Sequence, residues 1–215
     1  MLRAAILDVD GTLVDTNYHH VEAWARAFHQ VGLRVPRAAI HHQIGKGSDQ
    51  LLPMWIQDPA LAERADRLHT EIYDELKVHA YALPGAPELL AALVEHGVQA
   101  WFATSAKPEE LERNIEVLSA RDKLAGIISS GDVDRSKPAP DIFRASLEHA
   151  HVPPEDAVVL GDTVWDMIAA RASGVRAIGL LTGGAFTVEE LRQAGAVAVF
   201  DDCAALLGSG FPRGF

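Results

Sequence analysis

The stretch Ala4-Ala5-Ile6-Leu7-Asp8-Val9-Asp10-Gly11-Thr12-Leu13 decides how this chain is read. An apolar run ends abruptly in two aspartates spaced i, i+2, and then in Gly-Thr. A short apolar run bounded by turn residues has the pattern of a buried strand. The two carboxylates then sit where the strand leaves the sheet, the end at which open α/β sheets bind ligands. Aspartate is rarely buried without a partner, so the pair points to a cation, a proton-transfer task, or both. In that reading Asp8 attacks a phosphorus atom while Mg²⁺ holds the site together. Taken alone, Asp10-Gly11-Thr12 also fits a polar turn with a helix cap, and the rest of the chain has to decide.

The chain has 215 residues, enough to bury a large core as one domain with an insertion or as two domains. At 48% hydrophobic and 23% charged it has the composition of an ordinary soluble globular protein. Its formal charge of −11 argues against nucleic acid or an anionic membrane as partner. The same charge means that an anionic substrate would need a local source of positive charge. One cysteine, Cys203, excludes an internal disulfide and fits a reducing compartment. No apolar run reaches the length of a membrane span. The N-terminus reads as one arginine followed by a strand, not as a signal peptide, so a cytoplasmic protein is expected.

After the first strand, Val14-Asp15-Thr16-Asn17 gives a polar exit. Val21, Trp24, Phe28 and Val31 then fall at helical spacing, with Gly32 as the stop. Pro36 opens a second short helix expected to end near Gly45. Gly45-Lys46-Gly47-Ser48 is a small loop carrying one cation. Helical patterns resume over 49–56 and in a longer helix with Leu61, Ala65, Leu68, Ile72 and Leu76 on one face. Nothing between about 17 and 82 has a strand pattern. From residue 83 onward helical and strand patterns alternate, with strands expected at 98–103, 125–129, 157–160, 175–180 and 196–200. That alternation predicts right-handed β-α-β units and a parallel sheet with helices on both faces. The first strand must join this sheet, because one strand cannot stand alone. The expected architecture is a Rossmann-like, doubly wound α/β core of residues 1–15 and 84–215, with an all-helical cap of residues 16–83 inserted after the first strand. The tail 208–215, rich in glycine, is expected to be loosely ordered.

Polar residues gather at the carboxyl ends of these strands. The first gives Asp8 and Asp10, the second Thr104 and Ser105. Lys137 follows the third, Asp162 ends the fourth, and Asp166 lies one helical turn later. In a parallel sheet these ends share one rim, which caps alone do not explain. The set fits phosphoryl transfer. Mg²⁺ takes oxygen ligands and keeps several waters; Asp8, Asp162 and a carbonyl near Asp10 can supply them. Asp166, i+4 from Asp162 and read on the same helix face, can hold a bound water or position Lys137. Lys137 offers a point charge to phosphate and screens Asp8. Ser105 and the backbone N–H groups after it, beginning with Ala106, can hydrogen-bond phosphate oxygens.

These motifs resemble the haloacid dehalogenase superfamily of phosphohydrolases, in its branch with a helical cap between the first two motifs. The matching residues are Asp8-Val9-Asp10-Gly11-Thr12, Ser105 in Ala103-Thr104-Ser105-Ala106, Lys137 in Ser136-Lys137-Pro138, and Gly161-Asp162-Thr163-Val164-Trp165-Asp166. The resemblance implies that Asp8 is the nucleophile that forms an aspartyl phosphate. It implies that Asp10 protonates the leaving oxygen and later activates water. It implies Mg²⁺ held by Asp8, the Asp10 carbonyl and Asp162, with Asp166 beside them. Gly11, Thr12 and Ala106 fall on the phosphate side of the site. The dehalogenases of the superfamily lack an aspartate at the position of Asp10, so its presence favours phosphate chemistry. Gly45-Lys46-Gly47-Ser48 resembles the cap loop that reads the substrate; a connector with a solvated lysine is the other reading. His20 matches a histidine that similar proteins direct to the cleft, against a surface histidine as the alternative. Trp24 and Phe28 read as cap core, Thr104 as structural, Asp201 and Asp202 as helix caps at the end of an edge strand and Cys203 as a thiol without a role.

The implied activity is a Mg²⁺-dependent phosphatase acting on a small phosphorylated metabolite of the phosphoglycolate or sugar-phosphate type. The alternatives are a phosphomutase of the β-phosphoglucomutase type, a phosphonate hydrolase using Lys46, and a binding protein on an inactive scaffold. A monomer or homodimer is expected.

Overall fold

Strand β1 (Ala4–Leu7) lies in the middle of a six-stranded sheet and is buried along its whole length. It pairs in parallel with β2 (Gln99–Ala103) on one side and with β4 (Ala157–Gly161) on the other, so that Ile6 faces Trp101 and Val159 in register. β3 (Leu124–Ile128) extends the sheet beyond β2, and β5 (Arg176–Leu180) and β6 (Ala196–Phe200) extend it beyond β4, all in parallel. The order is β3-β2-β1-β4-β5-β6, a Rossmann-like α/β fold. In this computed structural model residues 1–106 and 108–213 are described.

The apolar runs are continuous because both sheet faces are covered. Successive side chains alternate between them. Ala5 and Leu7 join one apolar cluster with Leu90, Phe102 and Leu160. Ala4 and Ile6 join a second with Trp101, Phe143 and Val159. Helices α5 (Ala86–Glu95), α6 (Pro108–Val117), α7 (Asp141–Ala150), α8 (Val164–Ala172), α9 (Val188–Ala194) and α10 (Cys203–Gly208) alternate with the strands.

Between β1 and α5 the chain is helical: α1 (Asn17–Gln30), α2 (Arg37–His41), α3 (Ser48–Leu51) and α4 (Pro59–Leu76). These helices bury their own apolar cluster, with Trp24, Phe28, Ile40 and Tyr73 at its centre. The outgoing and returning chains run side by side. Val14 bridges Ala82, the Asp15 N–H bonds the Tyr81 carbonyl, and the Leu83 N–H bonds the Leu13 carbonyl.

The structure departs from the sequence reading in several local details. The helix expected over 36–45 stops at His41. The pattern over 49–56 divides into α3 and a 3₁₀ turn, Leu52–Met54, where Pro53 brings no N–H to continue an α-helix. The buried face of α4 is Ala65, His69, Ile72 and Tyr73, while Leu61, Leu68 and Leu76 lie only partly buried. Asp162 follows β4 and precedes α8, so it does not share a helix face with Asp166; Asp166 instead completes a capping box with Thr163. The tail is anchored through Phe211, which is buried in the first apolar cluster; Gly214 and Phe215 lie outside the described residues. Asp202 caps α10 as expected. No helix among the described residues is long and apolar enough to cross a membrane.

Candidate active site

Strand order reverses at β1, so a crevice opens beyond the carboxyl ends of β1 and β4, where doubly wound sheets take ligands. Asp8 and Asp162 each follow directly after one of these two neighbouring strands. The Asp8 N–H bonds the Leu160 carbonyl at 2.9 Å and continues the ladder by one step. The chain then turns tightly. The Val9 carbonyl accepts from the N–H groups of Thr12, Leu13 and Val14 at 3.2, 2.9 and 3.1 Å. Gly11 holds φ +76° in this turn, a conformation that glycine adopts without steric cost.

The turn sets the Thr12 hydroxyl between two carboxylates, 2.7 Å from Asp162 Oδ1 and 3.1 Å from Asp8 Oδ2. Lys137, fully buried, reaches the same place from the segment between β3 and α7. Its Nζ lies 2.5 Å from Asp8 Oδ1 and 2.8 Å from Asp166 Oδ1. The other oxygen of Asp166 accepts from the Thr163 N–H and hydroxyl at 3.1 and 2.5 Å. Asp8, Asp162 and Asp166 each present an oxygen within 4.8 Å of the others. Three buried carboxylates thus lie close together with one buried ammonium, which pairs with two of them, Asp8 and Asp166.

Electrostatics reflect that imbalance. Burial, opposed by Lys137 and reinforced by Asp166 and Asp162, holds the Asp8 carboxyl well above the usual range. Burial and then the Asp166 charge push Asp162 up to about 7 against the hydrogen bonds from Thr12 and Asn17. Burial alone would lower Lys137, but Asp166 and Asp8 outweigh it and hold the ammonium charged.

Asp10 points its carboxylate elsewhere. Oδ1 accepts from the Thr16 hydroxyl at 2.7 Å and from Asn114 at 3.3 Å, and Oδ2 from the Thr104 hydroxyl at 3.3 Å. His20 Nε2 stands 3.5 Å from Oδ1. Burial would raise this carboxyl; His20, Thr16 and Lys137 more than offset it and bring it to about 2. His20 in turn meets His69 Nε2 at 3.1 Å through Nδ1 and stacks on Tyr73 at 4.0 Å. His69 stacks on Trp24, also at 4.0 Å.

A cavity of about 60 Å³ separates the two walls, with Asp8, Asp10 and Ser105 on the sheet side and His20, Trp24 and Lys46 on the helical side. The loop 45–48 lies across its mouth. The Gly45 carbonyl accepts from the Ser105 hydroxyl at 3.1 Å, and Asp49 Oδ2 accepts from the Ser136 N–H at 3.1 Å. Lys46 sits 3.8 Å over the Trp165 ring and donates to Gln43 Oε1 at 2.8 Å.

The candidate site residues named from the sequence lie at the carboxylate cluster or around the adjoining cavity, with different engagements. Thr12 contacts the carboxylates through its side chain. Ala106 lines the cavity, but its backbone is already engaged: its N–H donates to Thr104 Oγ1 at 3.0 Å, and its carbonyl accepts from the Ser130 hydroxyl. The backbone N–H expected to face a phosphate is satisfied by the local Ser/Thr turn. Trp24 is both helical core and cavity wall. Asn17, His69 and Asn114 join the site without a clear mark in the sequence. Asn114 and His69 carried only the faint signal of a polar residue on an apolar helical face, and Asn17 looked like part of a polar exit.

Known proteins resemble this chain along most of its length. The sequence pattern of the haloacid dehalogenase-like hydrolases matches residues 5–180. A phosphoglycolate phosphatase from Rhodospirillum rubrum is 29% identical over 228 residues, covering 99% of this chain and 93% of its own length. The crystal structure of a hydrolase from Pseudomonas syringae superposes with a TM-score of 0.91 at 34% identity, over 96% of this chain and 97% of that one. A CbbY variant from Rhodobacter sphaeroides, crystallised with xylulose-1,5-bisphosphate, gives a TM-score of 0.83 at 27% identity, over 96% of each chain.

Proposed function

The chain belongs to the haloacid dehalogenase-like hydrolase family, and we propose that within it this enzyme is a divalent-cation-dependent phosphatase of small phosphomonoesters, of the phosphoglycolate or sugar-phosphate type. Residues 1–15 and 84–215 are the catalytic core in this reading, and residues 16–83 are a cap over it. The observation that carries the proposal is the set of three buried carboxylates around one buried lysine.

That set also tests the cation. Three carboxylates and one ammonium leave a net negative charge in a place shielded from water, and such charge is costly without a counter-ion. The donor set is all oxygen, which suits Mg²⁺. Asp8, Asp162 and Asp166 would hold the ion, with the Asp10 main-chain carbonyl at the same turn. When bound, Mg²⁺ supplies charge stabilisation for the phosphoryl group and returns the raised carboxyls to their ionised forms.

The residues divide the chemistry. The Asp8 carboxylate attacks phosphorus; the P–O bond to the substrate alcohol breaks and Asp8 becomes an aspartyl phosphate. Lys137 fixes Asp8 and screens it from Asp166. The leaving oxygen takes a proton from Asp10. Asp10 is ionised in the ligand-free protein, and a phosphate beside it favours its protonated form, as any nearby anion does. Having given up that proton, Asp10 is the base that takes one from water as the acyl phosphate is hydrolysed. His20, Thr16 and Thr104 keep the carboxylate aimed through both steps. Ser105 is the hydroxyl that can exchange its bond to Gly45 for one to a phosphate oxygen. Lys46, at the cap side, is the cation available to the remainder of the substrate.

A panel of phosphorylated metabolites incubated with Mg²⁺, assayed for both free phosphate and isomerised product, tests the activity. Release of phosphate from a small monoester, abolished by EDTA, is the expected result. Isomerised product without net release of phosphate would overturn phosphatase in favour of mutase.

A further inference from the structure

Asn17 is the first residue of α1, yet its side chain belongs to the sheet side. Nδ2 donates to Asp162 Oδ2 at 3.0 Å and to the Gly183 carbonyl at 3.3 Å. Two acceptors on the nitrogen fix which way the amide lies. Its Oδ1 is then buried with no hydrogen-bond partner among the described residues, on a residue only 2% exposed. A buried acceptor left without a donor is costly, so this oxygen needs an explanation.

The surroundings are shaped to this amide. A β-carbon at Gly11 would collide with the Asn17 carboxamide, and one at Gly183 would collide with Asp162 and lie 2.7 Å from Asn17 Nδ2. Space has been left at both positions for a side chain that comes from the helical insertion. His41, also from the insertion, meets the same Gly183 carbonyl at 3.0 Å. The segment after β5 is therefore held by two helical residues, of which Asn17 alone also touches a carboxylate of the centre.

We propose that Asn17 is the positioning residue through which the helical insertion completes the cation site: Nδ2 holds Asp162, and Oδ1 accepts a hydrogen bond from a water of the hydrated divalent cation. The inference rests on the cation reading above. A carboxamide is suited to both tasks, since it donates to a carboxylate and accepts from a water at once. Waters of a hydrated dication are strong donors, and they are retained by Mg²⁺ in particular. Cation binding and docking of the insertion are then linked, and the linkage is reciprocal: what favours one favours the other.

Mn²⁺ binding to the full-length protein, followed by loss of the free-ion paramagnetic resonance signal, tests this without turnover. Asn17→Ala is expected to weaken Mn²⁺ by about 10- to 100-fold, the range typical of residues that orient metal ligands. His41→Ala, which removes the contact to Gly183 and the ring contact to Tyr18 but touches no carboxylate of the centre, is expected to leave affinity within about twofold. Circular dichroism and a thermal melt verify the fold. If Asn17→Ala does not fold, Asn17→Ser replaces it, because a serine starts a helix well and is too short to hold both Asp162 and Gly183. Equal Mn²⁺ affinity in wild type and the Asn17 variant overturns the role of Asn17 alone. A wild-type protein that takes up no Mn²⁺ overturns the cation reading itself, and this inference with it.

Discussion

The strand-end wall and the helical wall of the cavity hold their polar groups in opposite ways. At the strand ends Asp8, Asp162 and Asp166 crowd around Lys137 with too much negative charge, and two of the three carboxyls are pushed up by burial. On the helical side His20, His69, Trp24 and Tyr73 lie as stacked rings, with His20 bonded to His69. The first wall is electrically incomplete and the second is packed. Incompleteness marks the place where a ligand is required; packing marks the place where a shape is presented to whatever enters. Asp10 stands at the seam, and the groups around it come from α1 and the residue that leads into it, from α6 and from the end of β2.

Breaking the charged wall is expected to have the largest effect. Asp8→Asn removes the nucleophile at nearly constant shape, and turnover of a generic aryl phosphate is expected to fall roughly 10⁴-fold or more. Far-UV circular dichroism should stay unchanged; retained turnover would remove Asp8 from its role. Lys137→Ala leaves two buried carboxylates without their ammonium. A loss of about 3–5 kcal/mol of stability is expected in denaturant unfolding, as for other buried pairs that lose one partner.

Cation-free protein offers a third test. Asp162 titrates at about 7 in the folded state and near 4 when unfolded, the ordinary value for aspartate. Between those values the folded state holds the additional proton, so its stability is expected to fall as pH rises through that window. Thermal melts across it should show the fall, and Mg²⁺ should abolish it by favouring the carboxylate. A melting temperature that rises over the window in cation-free buffer would contradict the burial of Asp162 as a charged-site carboxyl.

The helical wall is expected to respond more mildly. His69→Ala removes a stacked ring and the partner of His20, and a loss of about 1–3 kcal/mol is expected in the same unfolding experiment. Turnover should suffer less than from any change to the charged wall. Lys46→Ala should lower kcat/KM for a true substrate by about tenfold while leaving an aryl phosphate within about twofold, because a rim cation contributes binding and not bond breaking. Equal losses on both substrates would argue against a reading role for Lys46.

Much of this was legible in the sequence because the fold is written in a repeating signal. The apolar run Ala4–Leu7 and its successors are buried on both faces, so the order of strands and helices follows from composition. A parallel sheet brings every strand's carboxyl end to one rim, so the sequence alone brings Asp8, Lys137 and Asp162 together. Their residue types carry the chemistry directly.

Other features were decided only by tertiary structure. Nothing local distinguishes Asn17 from the rest of a polar exit; its contacts to Asp162 and Gly183 lie 145 and 166 residues away. His69 resembles any polar interruption of an apolar helix until α4 packs against α1 and brings it to His20. The Ala106 N–H faced a phosphate in the sequence reading, and the Thr104 hydroxyl takes it. The division has a physical cause. Burial and periodicity act along the chain and leave their mark in spacing. Hydrogen bonds between side chains depend on which surfaces meet, and that is fixed only once the helical insertion has docked on the sheet.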